Sequence, residues 1–149
     1  MRYIYPARFD TQSDGEVVVS FVDIPEALTS GCDMADAWRE ASDALGAALA
    51  GYVIHGLRIP EPSSCPPGLV AVSPPPLLVA KLALRDRMCE LGLTNVALAK
   101  RLQLSETAVR RLVDPDHASR LERVAAALTE LGQHLVIDVD NHIPAESPA

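Results

Sequence analysis

The sequence predicts an α+β protein in which an N-terminal β-β-β-α-β domain is followed by a helical domain with one late strand. Apolar residues alternate at period two near the N-terminus, they recur at helical spacing beyond residue 76, and prolines separate the two regions. We expect a first domain at residues 1–72, a linker at 73–76, a second domain at 77–140 and a disordered tail at 141–149.

The first three strands are predicted from alternation and from one turn signal. Residues 2–9 place four apolar side chains on one face: Tyr3, Tyr5, Ala7 and Phe9. Residues 16–22 are rich in β-branched residues, and Asp14-Gly15 suits the turn between two antiparallel strands. Residues 28–31 are expected to add a third short strand.

A helix and a fourth strand complete the first domain. Asp33 is a good N-cap. The apolar stripe that follows comprises Trp38, Ala41, Leu45, Ala48, Leu49 and Tyr52. Because charged residues occupy the opposite side, this helix is expected to cover one face of the sheet. Pro60 and Pro62 prevent its continuation, and residues 69–72 are expected to form the last strand.

Helical spacing dominates beyond the linker. The three prolines of residues 73–76 favour a stiff, extended segment, which marks a domain boundary. The next apolar stripe comprises Leu77, Ala80, Leu84, Met88 and Leu91. Near the C-terminus, Ser119 and Glu122 form a capping-box pattern that predicts a last helix.

Residues 93–112 carry two consecutive helix starts, which predict a helix-turn-helix. Thr94 and Ser105 are each suited to cap a helix, and each is flanked by a pair of apolar residues that fixes the entry of the chain. The residues expected to pack between the two helices are Leu98, Leu102, Leu104, Val109 and Leu112. A helical hairpin with a solvated charged face is the alternative, because caps specify helices and not DNA.

The free face of the second helix suits a major groove. Arg110 is expected to contact a base, since arginine bonds bidentately to guanine, and Thr107 suits a base edge or a thymine methyl. The residues suited to phosphates are Lys100, Arg101, Arg111 and Arg120. Glu106 suits either cytosine N4 or the helix dipole, and Ser105 completes the candidate DNA-binding set as the N-cap.

Residues 134–139 alternate, with Leu135, Ile137 and Val139 on one face, and predict a single late strand. Such a strand needs a partner, which is either the N-terminal sheet or its copy in a second chain. Pairing between chains would give a homodimer or homotetramer, which suits the two-fold operators that helix-turn-helix proteins bind.

Charge is divided along the chain. The net charge is -7, yet residues 77–123 hold nine Lys and Arg against six Asp and Glu. Residues 1–76 hold four against ten, and residues 124–149 hold none against four. This division indicates one segment that meets phosphate and another that meets a basic protein, and ordinary scatter of surface charge is the alternative.

Other features exclude function classes. No apolar run reaches signal-peptide length or the roughly 20 residues of a membrane span, so we expect a cytoplasmic protein without a membrane partner. Three widely spaced cysteines, Cys32, Cys65 and Cys89, indicate neither disulfides nor a zinc site. The four histidines lack metal-ligand spacing, and no phosphate-binding glycine loop is present. We therefore expect no cofactor, no metal and no enzymatic activity.

Two alternative functions remain. Four carboxylates cluster near strand ends and allow a metal-dependent ribonuclease: Asp10, Asp14, Glu16 and Asp23. Turn and surface roles account for most of them without chemistry. A helix-turn-helix regulator that senses a small ligand with its first domain is the second alternative.

The chain resembles the HicB antitoxins of HicA–HicB toxin–antitoxin pairs. The matching segments are Asp14-Gly15, residues 20–25, residues 29–31, the helix around residues 37–49 and residues 56–63. The resemblance implies a partial RNase H-like first domain, without catalytic carboxylates, that masks a small basic mRNA-cleaving HicA-like toxin. It also implies repression of the chain's own operon through double-stranded operator DNA. The net charge of -6 over residues 1–76 agrees, since it complements a cationic partner.

Overall fold

The computed structural model describes residues 2–141, which form four strands and five helices. Contacts between residues divide them into two compact units. We call residues 2–75 the sheet unit and residues 76–138 the helical unit. The mixed α+β class predicted from the sequence is confirmed, while the assignment of the two units to functional domains stays a prediction.

The sheet unit is built on a four-stranded antiparallel sheet. The strands are β1 (Tyr5–Thr11), β2 (Val17–Phe21), β3 (Thr29–Gly31) and β4 (Val70–Val72), and their order is β3-β2-β1-β4. Between β1 and β2, the Asp14 carboxylate accepts the backbone N–H of Glu16 at 3.0 Å, and Gly15 has a φ of +91°. The predicted hairpin is therefore confirmed, with glycine where the turn needs a positive φ.

One long helix, α1 (Met34–Ile54), packs on this sheet. The Asp33 carboxylate accepts the backbone N–H of Asp36 at 2.8 Å, as expected for the N-cap. The buried side of α1 includes Ala37, Ala41, Leu45 and Leu49. Trp38 stacks on Phe9 of β1 with ring centroids 5.7 Å apart. The predicted β-β-β-α-β order is confirmed.

The helical unit contains α2 (Pro76–Glu90), α3 (Asn95–Leu102), α4 (Glu106–Val113) and α5 (Leu121–Glu130). The helix α2 begins at Pro76, inside the predicted linker, because proline is tolerated in the first turn of a helix. The core of this unit comprises Ala80, Leu84, Met88, Leu98, Ala99, Val109, Leu112, Val113, Val124, Ala127, Leu128 and Leu131.

Three local expectations are wrong. Leu91 is exposed because it lies in the turn after α2, and Leu104 is exposed because it lies in the turn between α3 and α4. Ser119 does not cap α5, whose N-cap residue is Arg120 and makes no side-chain cap hydrogen bond. The Ser119 hydroxyl donates instead to the backbone carbonyl of Arg111 at 3.2 Å.

Residues 134–139 do not form the predicted late strand within one chain, and their pairing with a second chain stays a prediction. Residues 133–141 form no secondary structure and do not join the four-stranded sheet. Alternation of side chains gives a segment the pattern of a strand, but a strand also needs a neighbouring edge to hydrogen-bond. The expectation for residues 142–149 lies outside the described residues. Within residues 2–141, no helix is long and apolar enough to cross a membrane.

Candidate nucleic-acid interface

Two short capped helices present the candidate DNA-binding residues. The Thr94 hydroxyl accepts the backbone N–H of Ala97 at 3.1 Å and starts α3. The Ser105 hydroxyl accepts the backbone N–H of Ala108, also at 3.1 Å, and starts α4. Both N-caps are where the sequence places them, because each cap is a local interaction across three residues.

The turn between α3 and α4 depends on Gln103, which the sequence does not single out. Gln103 has a φ of 54°, in the left-handed region that usually holds glycine. The backbone N–H of Leu104 donates to the Ala99 carbonyl at 3.0 Å, and the N–H of Gln103 donates to the Lys100 carbonyl at 3.3 Å. These two bonds form a Schellman motif, which ends α3 and turns the chain into α4.

All eight candidate residues are exposed: Lys100, Arg101, Ser105, Glu106, Thr107, Arg110, Arg111 and Arg120. The first two end α3, the next five lie at the start or along α4, and the last lies just before α5. Arg120 follows Ser119, whose hydroxyl bonds to the last turn of α4, so the start of α5 lies beside the end of α4.

Glu106 and Arg110 form an ion pair on the free face of α4. The carboxylate and the guanidinium are 2.7 Å apart, and 66% of the Arg110 side chain is exposed. The pair lies four residues apart on one helix, a spacing that contributes about 0.3–0.5 kcal/mol when both groups are on the surface. Arg110 is thus accessible, and its direction is set by a neighbour on the same helix.

A buried lysine lies behind α4, and sequence reasoning missed it. Lys81 of α2 is fully buried, and its ammonium bonds to three backbone carbonyls and to the Ser119 hydroxyl. Burial lowers the pKa of Lys81, and the Asp114 carboxylate opposes that shift. The sequence does not indicate this role for Lys81, because the groups that accept its hydrogen bonds lie 30 to 38 residues further along the chain.

Two of the carboxylates considered for a ribonuclease, Asp14 and Asp23, bond to backbone or hydroxyl groups of the sheet unit. Asp14 holds the hairpin turn, and Asp23 accepts both the backbone N–H and the hydroxyl of Ser63, at 2.8 and 2.6 Å. Between residues 2 and 141, no group of three or more His, Cys, Asp or Glu side chains could hold a metal ion. The carboxylates considered for a ribonuclease therefore do not assemble into a two-metal site in the described part of the chain.

An open acidic cleft of about 380 Å³ lies where β2, β3 and the start of α1 meet. Its lining comprises Asp14, Glu16, Ser30, Gly31, Cys32 and Asp36. The backbone N–H of Cys32 donates to the Asp36 carboxylate at 3.0 Å and lowers the pKa of Asp36. The hydrogen bond between the Cys32 thiol and the same carboxylate raises the pKa of Cys32. These bonds fix the first turn of α1 against β3.

The chain is similar to known antitoxins of bacterial toxin–antitoxin systems. A family model described as the HicB-like antitoxin of bacterial toxin–antitoxin systems matches residues 4–83. The chain is 35% identical to Antitoxin HicB 2 of Photorhabdus laumondii over 131 residues, which are 88% of this chain and 92% of that protein. It is 33% identical to Antitoxin HicB of Escherichia coli K12 over 131 residues, which are 88% of this chain and 95% of that protein. It is 34% identical to Antitoxin HicB of Pseudomonas fluorescens Pf0-1 over 130 residues, which are 87% of this chain and 89% of that protein.

Proposed function

The chain belongs to the HicB-like antitoxin family of bacterial toxin–antitoxin systems, and from this premise we propose that it has two binding activities. Its sheet unit binds and neutralises a small basic toxin of the HicA type. Its α3–α4 pair acts as a helix-turn-helix that binds operator DNA and represses the operon. An antitoxin acts by binding and not by catalysis, which agrees with the non-enzymatic role expected from the sequence.

The observation that carries the proposal is the separation of exposed charge. The basic side chains at the end of α3, along α4 and before α5 are exposed, and residues 77–123 have nine basic groups against six acidic ones. Residues 1–76 have four basic groups against ten acidic ones. The basic segment, residues 77–123, suits phosphate, and the acidic segment, residues 1–76, repels it. One chain would thus have separate sites for DNA and for a cationic protein.

The roles within the DNA site follow from geometry. Arg110 lies in the second and last turn of the eight-residue helix α4, on its exposed face, where a guanidinium suits a base edge. Arg111 on α4 and Lys100 and Arg101 at the end of α3 are also exposed and suit phosphates, which position a protein without specifying sequence.

The DNA test compares two neighbouring arginines. Binding of Arg110→Ala and Arg111→Ala to the DNA upstream of the chain's own gene is measured beside binding to a random duplex of equal length. Arg110→Ala should lower the preference for the operator by about tenfold, since one bidentate contact contributes about 1–3 kcal/mol. Arg111→Ala should weaken both complexes alike and lower the slope of log affinity against log salt by about one. Equal losses on both duplexes for Arg110→Ala would contradict the assignment.

The toxin test looks for a small basic protein encoded in a reading frame next to this chain's gene and uses that protein as the binding partner. The full-length chain should inhibit RNA cleavage by that protein at equimolar concentration, and the complex should weaken as salt is raised. Arg110→Ala is the matched control, since it alters the DNA face alone and should inhibit as well as the parent chain. Failure of the parent chain to bind the neighbouring protein would refute this half of the proposal.

We also propose that residues 134–139 pair with the same segment of a second chain. Val136, Ile137 and Val139 are 75%, 62% and 82% exposed, and an exposed β-branched segment outside the sheet is suited to strand addition. Ile137→Asp should lower the molecular mass measured by sedimentation, whereas Leu57→Asp, at a similarly exposed apolar position, should not. An unchanged mass for Ile137→Asp would exclude this pairing.

A further inference from the structure

Lys81 is a fully buried charged side chain bonded to the end of the candidate recognition helix α4. Its ammonium nitrogen lies 3.0 Å from the carbonyl oxygen of Arg111, 2.7 Å from that of Asp114 and 2.6 Å from that of His117. The Ser119 hydroxyl oxygen lies 2.9 Å away. Four acceptors thus surround one cation beneath the loop from α4 to α5.

The Ser119 hydroxyl allows every acceptor around Lys81 to receive a hydrogen bond. An ammonium carries three protons and has four neighbours. The hydroxyl accepts from Lys81 and donates to the Arg111 carbonyl at 3.2 Å, so all three backbone carbonyls receive a hydrogen bond. This arrangement also explains why Ser119 does not cap α5, since its hydroxyl is already committed to the ammonium.

Two of these four acceptors are backbone carbonyls of the kind that a helix leaves unsatisfied at its C-terminal end. The carbonyls of Arg111 and Asp114 belong to the last turn and C-cap of α4. A cation at this end also interacts favourably with the helix dipole. Because the ammonium is completely removed from water, any displacement of α4 or of the loop would leave a buried charge short of partners.

Stability alone does not account for a charge in this position. A well-packed apolar side chain often stabilises a protein as much as a buried ionic network does, or more. An ammonium restricts the positions of the groups around it, because each acceptor must stay within hydrogen-bond distance and in a fixed direction. The same last turns of α4 carry Arg110 and Arg111 on the exposed face.

We propose that Lys81 is a positioning residue that fixes the C-terminal end of α4 and the loop to α5, and so sets the angle at which α4 enters operator DNA. The inference rests on the proposed DNA-binding function. Lys81 never touches the duplex, because it is fully buried. Its removal should therefore change specificity and leave the number of phosphate contacts unaltered.

The test compares Lys81→Met with Lys100→Met, which makes the same chemical change at an exposed position. Lys81→Met should lower the ratio of operator to random-duplex affinity by about tenfold, with the salt slope unchanged. Lys100→Met should weaken both complexes alike and lower the salt slope by about one. A folded Lys81→Met protein that keeps the parent ratio within twofold, or that loses salt slope as Lys100→Met does, would overturn the inference.

Hydrogen exchange separates this inference from the proposed function. The backbone N–H groups of Asp114, His117 and Ser119 are hydrogen-bonded within the α4 end and the loop. In Lys81→Met they should exchange about tenfold faster, while amides of α1 keep their rates. If the parent chain shows no operator preference, the proposed function fails, and these rates alone decide whether Lys81 fixes the end of α4 and the loop. Unchanged rates would overturn it.

A milder variant covers the case in which Lys81→Met does not fold. Ser119→Ala keeps the ammonium and removes only the hydroxyl that serves the Arg111 carbonyl. It should give a smaller change in the same direction, both in operator preference and in exchange at the loop amides. No change in either measurement for a folded Ser119→Ala protein would overturn the inference.

Discussion

Gly31→Ala probes the closest approach between the sheet and α1. Gly31 ends β3 and is buried against the first turn of α1. A Cβ atom built there would lie 2.2 Å from the backbone nitrogen of Ala37 and 2.5 Å from its Cα atom. Ordinary contact begins at 3.4 Å, and both clashing atoms are backbone, so neither can rotate away. The strand and the helix must separate by about 1 Å to admit one methyl group.

The expected loss of stability follows from that separation. Overpacking of a tight core costs about 1–3 kcal/mol and occasionally more. Here the displacement moves α1 as a unit, so the upper part of that range applies, at about 3 kcal/mol. With a urea dependence of about 1–3 kcal/mol per molar for a small protein, the midpoint of unfolding should fall by at least about 1 M.

Tryptophan fluorescence is the assay, because the chain has a single tryptophan and Trp38 lies in α1 beside the site. Gly51→Ala is the matched control on the same helix, since nothing lies within 4 Å of a Cβ atom there. It should stabilise the protein by about 0.5–1 kcal/mol through its higher helix propensity. A Gly31→Ala protein as stable as the parent would refute the close approach that this reasoning assumes.

Two further predictions concern capping and pH. Ser105→Ala should cost about 1 kcal/mol in thermal unfolding followed by circular dichroism, whereas Thr107→Ala should cost less than about 0.5 kcal/mol, and equal losses would contradict the cap. The pKa of Asp36 is lowered in the folded state by the Cys32 N–H, so its contribution is present at neutral pH and is lost as the pH falls through the acidic range. Asp36→Asn should therefore lose less stability than the parent between pH 7 and pH 3 in urea unfolding, and Asp43→Asn is the control. An acid response identical to that of the parent would contradict this origin.

Features that depend on near neighbours in sequence could be predicted. The alternation of Tyr3, Tyr5 and Ala7 predicts that these three side chains are buried together, and all three are buried. Asp33 and Ser105 each cap a helix through a backbone N–H three residues ahead. Such interactions are complete within a few residues, so a pattern in the sequence contains them.

Features that depend on distant partners could not be predicted. Ser119 has the pattern of an N-cap, but an ammonium 38 residues away determines its role. Gln103 adopts a left-handed conformation because the junction of α3 and α4 requires it, although its residue type does not favour it. Residues 134–139 alternate like a strand, yet no strand edge among residues 2–141 pairs with them. Tertiary context decides all three cases.

The ion pair between Glu106 and Arg110 on α4 would affect how tightly the protein binds DNA outside its operator. If Arg110 contacts a base as proposed, it must exchange the Glu106 carboxylate for an acceptor on the duplex. A guanine that accepts two hydrogen bonds at once, a contact of about 1–3 kcal/mol, would more than compensate for opening a surface pair of about 0.3–0.5 kcal/mol. The Glu106 carboxylate would thus compete with DNA bases for Arg110. This competition would slightly weaken binding to non-operator sequences and shorten the residence time there.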